Sequence, residues 1–147
     1  MPRKLIFNPL SGDFDYIDTS IGPRTEEGVC ATTDSVGDCV KVVGTRIAGK
    51  LDVRKVDITV AGDIPSIGII ISKATSTTCT VQLDGIMSGV VTGLTPGKAY
   101  FISPTSTLTL TPTVPTSGNI AWVQQMGEAL DTDEFLIQPK SPTKRVG

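Results

Sequence analysis

Short apolar runs of strand length recur through almost the whole of this 147-residue chain, with glycines and prolines at the joins between them. There are 15 glycines and 10 prolines, enough to end each run in a turn, so strand is the dominant local signal. DVRKVDITV (52–60) alternates in its second half, with Val56, Ile58 and Val60 on one side and Asp57 and Thr59 on the other, which predicts a half-buried strand. SIGIIISK (66–73) places Ile69, Ile70 and Ile71 in succession. A run apolar on both faces predicts a strand covered on both sides, by core or by a partner subunit. After ATST, the segment TCTVQLDG predicts the return arm of a hairpin with one wet face. The stretch 84–103 reads as another hairpin: a strand over 86–92 broken by Gly89, a turn at LTPG, and a return strand over 98–103. TLTLT (107–111), IAWVQQM (120–126) and EFLIQ (134–138) are further short strands. Their regular spacing predicts an all-β fold, a single small β-barrel or β-sandwich.

Size and charge bound the rest. A mass of 15.4 kDa with 39% hydrophobic residues suits one domain with its own core. A formal charge of -2 and a pI near 5.0 speak against nucleic acid, because nonspecific affinity for it rests on lysines and arginines neutralising phosphates. No run approaches the roughly 18 apolar residues of a membrane span. At the amino end, Leu5, Ile6 and Phe7 are followed by Asn8 and Pro9, too short a run for the core of a signal peptide. Synthesis in a cytoplasm without export, and no membrane partner, is the expectation. The first residues carry LIF, an NPLSG turn and FDYID with no single regular face, and GPRTEEG (22–28) is a polar link. The expected organisation is therefore an extended amino-terminal arm and linker over 1–28, a barrel or sandwich domain over 29–139, and a mobile tail over 140–147. Leu5, Ile6, Phe7, Phe14 and Tyr16 make the arm rich in large apolar groups. Such an arm either folds back as a strand of its own domain or adds a strand to a neighbour's sheet edge.

Catalytic chemistry is thinly represented. The chain has no histidine, which removes Ser-His-Asp and Cys-His constellations, the usual general base and the commonest metal ligand. Cys30, Cys39 and Cys79 form no CxxC pair; they read as reduced core residues, with a Cys30 to Cys39 disulfide as the alternative. The carboxylate pairs at Asp13 and Asp15, Glu26 and Glu27, and Asp131, Asp133 and Glu134 fall in polar turns or the arm and read as solvated surface. DTDE lacks the glycine and distal glutamate of a calcium loop, and no phosphate-binding glycine motif is present. No catalytic, cofactor or metal residues are expected, and no enzyme. Trp122 reads as a core or barrel-end residue, with a sugar-stacking platform as the alternative. Lys144 and Arg145 read as a solvated end or a contact to an acidic neighbour.

One further pattern is present. SVGDCVKV (35–42), PSIGIIISKATSTTCTVQLDGIMSGVVTGLTPGKAYFIS (65–103), LTLTPTVPTSGNIAWVQQMGEAL (108–130) and FLIQP (135–139) follow one another in an order that resembles small virion proteins of tailed bacteriophages. In those proteins a "VGD-V-V" strand precedes an "IG-V-SK" strand, a "G-L-PG--YF-S" hairpin, a proline-rich loop and a "Q-VG-AL" strand. KLIFNPLSGDFDYID also looks like the amino ends of phage structural proteins. The likeness covers about two-thirds of the chain and is specific as an ordered set more than motif by motif. It implies a β-rich module displayed on the particle, as a capsid decoration protein, a head fibre or a tail or neck appendage, commonly trimeric. Trp122 and Met126 depart from it, standing where small or polar residues are usual, so subunit contacts are expected to differ.

The expectation is thus a capsid decoration protein that binds the outer shell as a homotrimer, with the major capsid protein and itself as partners and the capsid surface of the virion as its place. The arm residues Leu5, Ile6, Phe7, Phe14 and Tyr16 are then shell or subunit contacts, and Ile69, Ile70, Ile71 and Trp122 are trimer or core contacts. Two other readings stand beside it. One is a tail, neck or head-fibre component that touches the host surface, with a host glycan as partner. The other is a carbohydrate-binding β-sandwich with Trp122 and Tyr100 as stacking residues.

Overall fold

The computed structural model describes residues 3–8 and 13–18 as backbone strands, and residues 23–60, 63–104, 110–115, 120 and 122–144 in full. Every regular element among the described residues is a strand. At the amino end β1 (Arg3–Asn8) and β2 (Asp13–Asp18) pair antiparallel as a two-stranded ribbon, with Leu5 opposite Tyr16 and Phe7 opposite Phe14. The arm therefore pairs with itself.

The next five strands, β3 (Thr25–Val29), β4 (Cys39–Val42), β5 (Leu51–Lys55), β6 (Gly68–Lys73) and β7 (Thr78–Gln82), close into a barrel in the order β3-β5-β4-β6-β7. β3 runs parallel to β5 and antiparallel to β7, and the remaining pairs are antiparallel. Closure leaves this sheet without an edge to template aggregation. Beyond it lie β8 (Gly85–Ser88), β9 (Ala99–Ile102), β10 (Leu110–Thr111), β11 (Trp122–Val123), β12 (Gln125–Ala129), β13 (Glu134–Ile137) and β14 (Thr143–Lys144). Five of them form an antiparallel sheet ordered β10-β9-β12-β13-β8, and β11 pairs with β14 as a short ribbon.

Two cores result, and β4 and β6 are walls of both. Val40 and Ile70 belong to the cluster inside the barrel with Cys30, Val53, Cys79 and Val81. Their neighbours Cys39 and Ile69 belong to a second cluster, shared with Met87, Tyr100, Met126, Phe135 and Ile137 of the five-stranded sheet. A strand between two cores must be apolar on both faces, and this is the physical reason for the isoleucine run. Burying each of Ile69 and Ile70 stabilises the fold by about 1.5–3 kcal/mol relative to exposure. Both are fully buried within the single chain, and Ile71 is partly buried against the second core.

Several local expectations are corrected. The strand expected over 52–60 stops at Lys55. Asp57 ends it, because its side chain accepts the Thr59 backbone N–H (2.9 Å) and hydroxyl (2.6 Å), while its own N–H donates to Asp63 (2.6 Å). Val56 and Ile58 are buried all the same, as residues of a turn packed on the second core. The segment 84–103 is not a hairpin: β8 pairs with β13, whereas β9 pairs with β12 and β10. Its connection crosses the end of the β12–β13 turn, where the N–H groups of Gly89, Leu94 and Gly97 donate to the carbonyls of Asp133, Thr132 and Ala129. The end of the chain, expected to be mobile from residue 140, is paired as far as Lys144. The Lys140 N–H donates to the Gln125 carbonyl at 3.0 Å.

Two glycines of the phage-like pattern have a steric cause. A Cβ on Gly68 would land on the Gln82 carbonyl oxygen, and one on Gly127 would land on that of Leu136. Both positions let adjacent strands approach closely, and Gly127 adjoins the bulge between Gln125 and Gly127.

Candidate functional site

An open groove of about 560 Å³ lies where the barrel meets the segment 139–142. Its floor is a polar clasp between two buried residues, Ser66 and Gln124. The Ser66 N–H donates to Gln124 Oε1 (2.8 Å), and Gln124 Nε2 donates to the carbonyls of Ser66 (2.9 Å) and Lys140 (3.0 Å). The Ser66 hydroxyl lies 3.0 and 3.1 Å from the carbonyls of Val40 and Gly68. One side chain thus satisfies three backbone groups and ties barrel, second sheet and closing segment together. Leu51, Leu83, Pro139 and Pro142 give the groove apolar walls. Arg24, Arg46 and Lys140 line it as cations against one carboxylate, Glu26. Arg24 pairs with Asp84 at 2.8 Å and Arg46 with Glu26 at 3.4 Å, both at the surface. The Asp84 carboxyl is held below its usual range, chiefly by the Arg24 backbone N–H and then by the guanidinium. A second, more enclosed groove of about 510 Å³ lies between Val36, Val90, Val91, Leu110 and Pro112.

The residues singled out from the sequence are scattered relative to this groove. Ile69 and Ile70 are interior to one chain and Ile71 is partly so, which leaves the first two no surface to offer a partner. Trp122 is half-buried on β11, opposite Lys144, and its backbone N–H donates to the Ile58 carbonyl at 3.3 Å. Leu5, Ile6, Phe7, Phe14 and Tyr16 all lie on the β1–β2 ribbon. Tyr100 is buried: its hydroxyl accepts the Thr95 N–H at 2.9 Å and its ring meets Phe135 edge-on at 6.0 Å. It has no face free to stack on a sugar, and the pairing of Tyr100 with Trp122 as a carbohydrate platform is corrected. Nothing in the sequence reading pointed to Gln124 or Ser66. The signal available was a glutamine pair inside an otherwise apolar strand.

The three cysteines are buried and in no disulfide. Cys30 and Cys39 are not joined. The Cys39 thiol is pushed up to about 12, first by burial and then by Asp38, against the opposing pull of Lys55. Cys79 is likewise pushed up to about 12, by burial and by its hydrogen bond with Cys30. At neutral pH both are thiols rather than thiolates, the opposite of an activated nucleophile. The buried carboxylates Asp34 and Asp38 brace the loop before β4. They accept the N–H groups of Ala31 (2.9 Å) and Ser35 (2.8 Å), and Lys55 stands 3.5 Å from Asp38. The "VGD" aspartate is thus a loop brace. No group of three metal-ligating side chains converges among the described residues. No described helix is long and apolar enough to cross a membrane.

Comparison with family models, with curated proteins and with solved structures finds no match to this chain.

Proposed function

We propose that this chain is a bacteriophage virion structural protein, with capsid decoration as the leading form: a body that binds the outer shell as a homotrimer and stabilises it. The observation that carries the reading is the fit between the ordered phage-like segments and successive strands. SVGDCVKV runs into β4, the "IG" and "SK" of the next segment bound β6, the "Q-VG-AL" counterpart is β12, and FLIQP covers most of β13. Gly68 and Gly127, the glycines of two of these patterns, stand where a side chain would collide with backbone. The fold suits the task on physical grounds. A closed barrel sharing its walls with a second sheet is rigid, and a shell presents many copies of one site. A symmetric trimer engages several sites at once, so avidity takes the place of single-site affinity. The amino ribbon, with Leu5, Ile6, Phe7, Phe14 and Tyr16, contributes contacts beyond its own body.

Cryo-electron microscopy of the purified particle tests this. Density of this chain's size at local three-fold points of the lattice is the expected result. A bare lattice, with the protein confined to neck or tail, would replace decoration by an appendage role. The arm's share is tested separately by deleting residues 1–20: a remainder that folds and still binds expanded shells with full affinity removes the arm from the contact.

A further inference from the structure

Two of the three cysteines share the barrel lumen. Cys30 and Cys79 belong to its buried cluster, whereas Cys39, on β4, faces the second core. Strand register brings the two lumen thiols together. Gly28 stands opposite Cys79 and Val29 opposite Thr78, and the ladder goes one residue further, where the Cys30 N–H donates to the Thr77 carbonyl at 2.9 Å. Cys30 therefore lies on the same face as Gly28 and diagonal to Cys79. A diagonal pair of short side chains is ordinarily too far apart to touch. Here Gly28 leaves the intervening space open: a Cβ built on it would come within 3.1 Å of Cys79 Sγ, so that sulfur leans across the seam towards β3. There the two thiols meet in a side-chain hydrogen bond.

We propose that Cys30 and Cys79 are the site of an intrachain disulfide that staples β3 to β7 inside the barrel. The oxidant is a small disulfide of the glutathione class. One cysteine, as thiolate, attacks it and forms a mixed disulfide; the other then attacks the protein-bound sulfur of that bond. Two cysteines are oxidised to one disulfide, the small disulfide is reduced to two thiols, and the two cysteine protons pass to the released thiolates. Burial holds Cys79 protonated, so exchange requires the lumen to open, and the bond once formed is shielded in the same way. Closing it draws the sulfurs from hydrogen-bond contact to about 2 Å. Cys30 supplies the movement, because it stands just past Val29, the last residue of β3. β3 pairs with β5 only at Gly28 and Val29, so its place in the barrel rests mainly on β7, and a bond across that seam encloses about 50 residues. Oxidation thus makes barrel closure covalent. Cys39 takes no part, since its side chain lies on the other side of the β4 wall. The inference concerns the barrel alone and stands whether or not the chain joins a particle.

Redox equilibration of the full-length chain tests it. The folded chain is held in a mixture of oxidised and reduced glutathione, with urea below the unfolding midpoint so that the lumen opens, then alkylated and mapped by mass spectrometry without reduction. The expected product is a peptide pair joining Cys30 to Cys79, with Cys39 recovered as the alkylated thiol. Cys39→Ala forms the same bond, and Cys30→Ala and Cys79→Ala form none within the chain. The oxidised parent melts about 5 °C or more above the reduced one, and dithiothreitol reverses the gain. Three results on the parent chain overturn the proposal. The first is cysteines that end as thiols or as mixed disulfides with glutathione, and the second is a bond that includes Cys39. The third is a Cys30 to Cys79 bond that lowers the melting temperature, because the folded barrel would then not accommodate it. None of the three depends on a variant folding.

Discussion

The two cores of the body solve the same problem with different residues. Inside the barrel, Cys30, Val40, Val53, Ile70, Cys79 and Val81 are small or β-branched, and none is aromatic. Between barrel and sheet the cluster holds Met87, Leu94, Tyr100, Met126 and Phe135 as well. The contrast follows from geometry. A closed ring of five short strands encloses little space, and backbone pairing fixes its radius, so its lumen fits only small side chains. An open sheet lying against the barrel's outer wall sets its own distance and accommodates long and aromatic groups. The lesson is that the barrel is held by closure and the second sheet by side-chain volume.

If that is right, the largest loss comes from removing volume on the sheet side. Phe135 is fully buried and packs edge-on against Tyr100. Phe135→Ala is expected to cost about 3–5 kcal/mol in urea unfolding. A loss under about 1.5 kcal/mol would mean that the sheet closes over the gap and that volume is not what holds it. Next comes the clasp between the two units. Gln124→Leu keeps much of the volume but strands the Ser66 N–H and the carbonyls of Ser66 and Lys140. Freed buried polar groups set the expected cost at about 2–4 kcal/mol. Hydrogen exchange should also rise at residues 65–67 and 140–144 before it rises in the barrel. Uniform loosening of both units would contradict a clasp.

What could be read from the sequence divides along a similar line. The isoleucine run, apolar on both faces, the alternation at Thr78 to Gln82 and the short strand expected over 134–138 are local patterns, and they became β6, β7 and β13. Burial of Val56 and Ile58 was also legible, but their backbone was not, because an aspartate side chain that bonds to nearby backbone competes with the ladder and leaves the apolar pattern unchanged. Strand partners were out of reach. β8 and β9 are consecutive and joined by a turn motif, yet β12 and β13 lie between them, since sheet order is decided by contacts distant in sequence. The groove was hidden for the same reason. It draws on residues 24, 26, 46, 51, 65–67, 83, 124 and 139–142, and no one of these segments is unusual alone.

A finer comparison uses the two neighbours on β6. Ile69 faces the second core and Ile70 the barrel lumen, and both are fully buried. Removing one methylene from each by substitution with valine is expected to cost about 0.5–1.5 kcal/mol. Ile70→Val should lie at the upper end, because a closed barrel cannot contract around the space, and Ile69→Val at the lower end, because the sheet can settle. Equal losses, or the reverse order, would show that closure does not make the lumen stiffer.

The last effect is absent at neutral pH and appears only in alkali, again with one probe in each core. Cys39 belongs to the second core and Cys79 to the barrel, and both have thiols raised from an ordinary 9.0 to about 12. A group whose proton is held more tightly in the folded state stabilises that state fully below its unfolded value. The contribution fades as pH rises through the folded one. The window is therefore about pH 9 to 12, and stability must fall with pH across it. The informative quantity is the difference in slope between the parent chain and Cys39→Ala or Cys79→Ala, measured by urea unfolding at about pH 8, 9, 10 and 10.5, values that straddle the lower edge of that window. The parent should lose stability faster than either variant above pH 9 and match its slope below. For Cys39 the opposing influence is Lys55, against burial and Asp38. Cys79 is opposed by Lys73 against the added pull of Cys30 and Asp34. Parallel slopes for the Cys79 variant, with divergence for the Cys39 variant, would mean that water reaches the lumen more readily than the space between barrel and sheet, and the closed barrel would then be the looser of the two cores.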